Sequence, residues 1–138
     1  MNTRFTQAFV FAIVITMGLS FTLTGLALLF APQFFFDNIG TFPPFNRHYM
    51  GDLGTYSLPL GLALLWATRN PMQHRLLILA AVGINLMHAG NHAYDDVLLG
   101  ILPSIQTLLL LISGVLLAAA LLFANTGQQT HPHSRQAA

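Results

Sequence analysis

Residues 8–30 run for 23 positions without a charged side chain. A helix crosses the hydrocarbon core of a bilayer in about 20 apolar residues, so this run predicts a membrane span. Three more segments extend the pattern. Residues 49–68 are broken only by Asp52, residues 76–94 stay apolar up to His88 apart from Asn85, and residues 97–124 carry no charge. Pro103 fits the first turn of the last span, where its missing N–H would be unpaired anyway. Little is left for anything else in 138 residues. The expectation is an all-α fold: an integral membrane four-helix bundle over residues 1–124, followed by a disordered polar tail over 125–138.

Composition agrees. Hydrophobic residues make up 54% and charged residues 7% of the chain, whereas a soluble domain carries about 25% charge. The five basic residues are all Arg and the four acidic ones all Asp, for a formal charge of +1. That excludes a phosphate-binding basic face and hence a nucleic-acid partner. The absence of Cys excludes disulfides, thiolate metal ligands and thiol nucleophiles. The first apolar run is much longer than the core of a signal peptide, has only Arg4 before it and shows no small-x-small cleavage site after Phe30. It reads as a retained span.

Orientation follows the arginines. Four spans would put Arg4, Arg69, Arg75 and Arg135 on one side, and Arg47 with Asp37, Asp52, Asp95 and Asp96 on the other. Both termini are then expected in the cytoplasm. Phe34, Phe35, Phe36, Phe42, Phe45, Tyr49 and Tyr94 mark the outer boundary and Trp66 the inner one. Residues 32–46, with Pro43-Pro44, read as an interfacial loop.

Ionisable residues inside spans need a partner or a purpose, and here they concentrate near the outer face. His48 and Asp52 are four apart, as are His88 and His92, with Asp95 and Asp96 one turn on. Such spacing stacks side chains on one stripe. With Arg69 and Arg75 as the inner edge, counting up each helix puts His88 level with Tyr56 and His92 level with Asp52. Asp95 and Asp96 come out level with His48 on the same count. The short loop around Asn70-Pro71 makes the second and third spans expected neighbours, so that His48, Asp52, His88, His92, Asp95 and Asp96 would converge on a metal site. Asn91 would then serve as a further ligand or hold an imidazole. Imidazole and carboxylate donors suit iron, copper, zinc or manganese. A hydrogen-bonded polar cap that orders the bundle, or a proton- or quinone-handling site, fits the same residues. His131 and His133 in the tail make at most a weak metal site.

Thr16, Ser20 and Thr24 form a hydroxyl stripe on the first span, and Gln106 and Ser113 lie seven apart on the last. Both suggest close helix packing with interhelical hydrogen bonds. Gly51, Gly54 and Gly61 permit tight approach of the second span, and Pro59 predicts a kink below Tyr56.

The Leu-Phe-Ala-Pro end of the first span (29–32), the aromatic loop and the Gly-Asp-Leu-Gly start of the second (51–54) resemble the small bacterial four-helix membrane proteins called DoxX-like. The resemblance covers the topology of most of the chain. It implies a multi-pass protein of the bacterial inner membrane and an association with sulfur-compound or quinone oxidoreduction; it assigns no site residue. The combined expectation is a small membrane subunit with a His/Asp metal cluster near the outer face, attached to an oxidoreductase complex. An accessory structural subunit without its own active site, and a standalone enzyme acting on a lipid or quinone, are the alternatives. Four short helices bury little surface, so a larger membrane complex or a homo-oligomer is expected besides the bilayer.

Overall fold

The computed structural model describes residues 3–40 and 43–128. Five helices follow one another: α1 (Thr3–Phe30), α2 (Pro32–Asn38), α3 (Arg47–Ala67), α4 (Arg75–Leu98) and α5 (Ile105–Gln128). The expected four-helix count is therefore wrong. The extra element, α2, lies inside the segment expected to be a loop. Pro32 opens it at its first turn, where a fixed φ favours the helix. Gln33 and Asp37 bridge one turn of it at 2.9 Å.

A second correction concerns the spans. Among the described residues three helices, not four, are long and apolar enough to cross a membrane: Arg4–Phe30, Arg75–Leu98 and Ile105–Ala124. They mark the chain as a membrane protein. Helix α3 has the length, at 21 residues, but Arg47, His48, Asp52, Thr55 and Ser57 dilute its apolar content. The placement of both termini on the cytoplasmic side depended on four crossings and loses its basis with them.

Boundaries follow local chemistry. Asn46 caps α3 by accepting the Tyr49 N–H at 3.1 Å, satisfying one of the donors that a helix start leaves unpaired. The helix runs through Pro59 without interruption. α4 does not stop at Tyr94 but continues to Leu98, and Gly100 ends it with a φ of +65°. The Ile101 N–H reaches the Asp96 carbonyl and the Gly100 N–H that of Val97, which is the Schellman pattern. α5 consequently starts at Ile105 rather than at 97, and Pro103 sits just outside it. At the far end α5 extends to Gln128, into the first residues of the expected tail; positions 129–138 lie outside the described residues.

The extensive interfaces join α1 to α3 and α4 to α5, with α1 also packing on α5. The α1–α3 seam is made by backbone approach. A Cβ on Gly25 would lie 2.5 Å from the Leu58 backbone nitrogen, and one on Gly61 would strike the backbone nitrogen and hydroxyl of Thr22. Such contact is available only to glycine, the usual device of membrane-helix interfaces. The two pairs share a core at the end of the α3–α4 turn, where Val14, Leu64, Ile78 and Leu117 are fully buried. Toward the other end the pairs part company. Leu28 and Met50 are buried on one side and Ala89 on the other, all outside that common core.

Candidate functional site on α3 and α4

The six expected ligands divide into three groups. His48 and Asp52 form a pair on α3, with Nε2 and Oδ2 3.5 Å apart, and both are exposed. Leu64 of the same helix lies in the shared core. Counted back from it at about 100° per residue, Asp52 stands about 120° and His48 about 160° round the helix. The pair faces away from the core, and Tyr56 is exposed as well.

His88 and His92 form the second group. Their rings lie 4.9 Å apart at 37° on adjacent turns of α4. His88 is exposed and His92 half-buried, and Asn91 between them is exposed. Asp95 continues this flank and is half-buried.

Asp96 forms the third group alone. It is buried and turned toward α5. Its Oδ2 accepts the Ser104 N–H at 2.8 Å and the Thr107 hydroxyl at 2.6 Å. Ser104 and Thr107 share a hydrogen bond of 2.9 Å, and the Thr107 N–H donates to Ser104 Oγ at 3.3 Å. A carboxylate from the end of one helix thus caps the start of the next. The negative charge also meets the positive end of the α5 dipole. Further along the same interface, Ser113 donates to Asn85 Oδ1 at 2.7 Å while the Asn85 amide donates to the Ala81 carbonyl at 2.9 Å. Asn85, three residues before His88, thus serves the α4–α5 contact.

The matched depths of the two stripes are compatible with this arrangement, but their convergence is not. Depth fixes a residue's level along the bundle axis and leaves open the direction in which it points. Helix α3 docks on α1 through glycine contacts, and the turn over residues 68–74 is long enough for α4 to pack on α5. The two helices therefore meet only lightly. Among the described residues no three His, Asp, Glu or Cys side chains stand together in a way that could hold a metal ion. His131 and His133 lie outside the described residues.

Sequence reasoning missed Ser104 and Thr107. Part of the signal was present: Ser104, directly after Pro103 and ahead of an apolar run, is an N-cap residue type at a helix start. It also missed Thr22, whose hydroxyl donates to the Gly18 carbonyl at 2.8 Å, while Thr16 and Ser20 of the expected hydroxyl stripe are exposed. Gly51 differs from Gly54 and Gly61: a Cβ there would meet only the Arg47 side chain. No protein-family model, curated protein or solved structure matches this chain.

Proposed function

We propose that this chain is an accessory subunit of a larger membrane assembly, seated in a bacterial inner membrane, and that the His88/His92 flank of α4 is an assembly surface. One observation carries the reading: a helix long and apolar enough to span the membrane leaves the His88 imidazole exposed and the His92 imidazole half-buried beside it. Counted from Arg75, His88 and His92 stand about 20 Å and about 26 Å up the helix, within a hydrocarbon core about 30 Å thick. Polar groups at that depth cost several kcal/mol when left to lipid, and intramembrane ionisable groups face protein or a water-filled cavity. Among the described residues Asp96 is engaged by Ser104 and Thr107 and Asn85 by Ser113, while Asn91 and Asp95 share the flank with the two histidines. Another protein surface is the natural cover.

The reading favours the accessory subunit over a six-ligand metal centre within one chain, because that centre requires α3 and α4 to face each other. Sizing of the protein after mild extraction from its native membrane tests it. The expected particle exceeds one chain plus its lipid annulus, and His88→Ala with His92→Ala shifts it toward the single chain. A single-chain particle from the parent protein would contradict the proposal.

A further inference from the structure

The same flank specifies its partner. The two rings of His88 and His92 are 4.9 Å apart and one turn from each other, the spacing at which two histidines on one helix face hold a single zinc ion. Two nitrogens are half of a tetrahedral set. The described residues supply no more: no larger group of ligating side chains exists among them, and the His48/Asp52 pair on α3 is exposed.

A second copy completes the set by symmetry. Copies of one protein insert into a membrane with the same orientation, so a symmetric pair is related by a twofold axis along the membrane normal. In such an isologous contact the same patch of both copies meets, and residues on the axis face their own counterparts at equal depth. Two copies of α4 packed at about 8–10 Å between axes bring two histidine pairs to one level at the midline. We propose that α4 packs against α4 of a second copy, and that His88 and His92 of both copies bind one divalent transition-metal ion on the axis. This rests on the flank being an assembly surface, as argued above. Four imidazoles without a thiolate suit zinc or copper(II). The glycine seam of α1–α3 lies on other helices, and the Asp96 carboxylate stays engaged by Ser104 and Thr107.

Zinc binding and cross-linking test the proposal in nanodiscs, with the full chain purified without a polyhistidine tag. Zinc chloride is expected to bind at about one ion per two chains. His88→Gln and His92→Gln should each abolish binding while helicity is retained, and His131→Ala with His133→Ala should leave it intact. The chain has no Cys, so single cysteines report contacts cleanly. Ile84→Cys, one turn before His88, should cross-link between copies with a short bis-maleimide. Leu79→Cys, about 180° round the helix from His88, should not. Zinc binding that survives His88→Gln, or that vanishes with the tail histidines, overturns the proposal. So does an Ile84→Cys cross-link to a different protein, or none between copies. If the particle stays larger than one chain under those results, the assembly surface stands and only its partner is wrong; if it is a single chain, both readings fall.

Discussion

The two helix pairs are built by opposite means. The α1–α3 pair is joined by glycines, which let backbones approach until Leu58 and Thr22 stand where Cβ atoms would be. The α4–α5 pair is fastened by side-chain hydrogen bonds, Asn85 to Ser113 within the span and Asp96 to Ser104 and Thr107 at its end. Where water is absent, close packing and satisfied hydrogen bonds both join helices; α1–α3 relies on backbone approach at glycines, whereas α4–α5 adds its hydrogen bonds to one glycine contact, Gly114 against the Leu86 side chain. The contrast also sorts the polar residues of α4. Asn85 and Asp96 face α5 and are buried; His88 and Asn91 are exposed, with His92 half-buried beside them. One helix thus carries an internal fastening and an outward polar flank.

Replacement at the glycine seam should have the largest effect. Gly61→Leu cannot be absorbed by rotamer changes because the obstacle is the Thr22 backbone, so a loss of about 3 kcal/mol or more is expected. A detergent-denaturation midpoint within error of the parent would show that the seam is not tight. The polar latch comes next. Asp96→Ala should destabilise more than Ser104→Ala, for which the loss of a helix cap sets about 1 kcal/mol. It should also accelerate amide exchange at Ser104, and Asp96→Asn should recover part of the loss. Equal exchange in all three variants would remove Asp96 from the capping role. Asn85→Ala and Ser113→Ala, taken through a double-mutant cycle, should couple by about 0.6 kcal/mol, the usual size for a hydrogen bond between membrane helices. Zero coupling would mean that the two side chains do not meet. The smallest effect belongs to His48→Ala and Asp52→Ala, each within about 0.5 kcal/mol; a larger loss at either would show that the α3 pair has a cover.

These differences trace what was legible in the residues. The long apolar runs were plain, because hydrophobicity needs no partner to be read. Helix α2 was hidden, since seven residues with three consecutive phenylalanines show no helical period. The start of α5 was misplaced because Asp95 and Asp96 suggested a helix end, whereas Asp96 stays helical and caps its successor. Partner choice was the deeper failure. Apolar helices carry little pattern that says which neighbour each prefers, and a short connection suggested that α3 and α4 pair. The better guide was glycine spacing: Gly18 and Gly25 on α1, and Gly54 and Gly61 on α3, are both seven apart. The polar site shares this history. The i, i+4 spacing within each stripe was plain, but the directions in which the stripes point depend on docking that no single segment encodes.

The separation of the two stripes is tested most directly by paired cysteines in this cysteine-free chain. Residues whose Cα atoms are more than about 7 Å apart cannot form a disulfide without backbone movement. Asn85→Cys with Ser113→Cys, which replaces a hydrogen-bonded pair, should oxidise readily within one chain. Asp52→Cys with His92→Cys should not, because α3 belongs to α1 and α4 to α5. Rapid intramolecular disulfide formation between positions 52 and 92, as complete as the 85–113 control, would put the two stripes face to face and contradict the account.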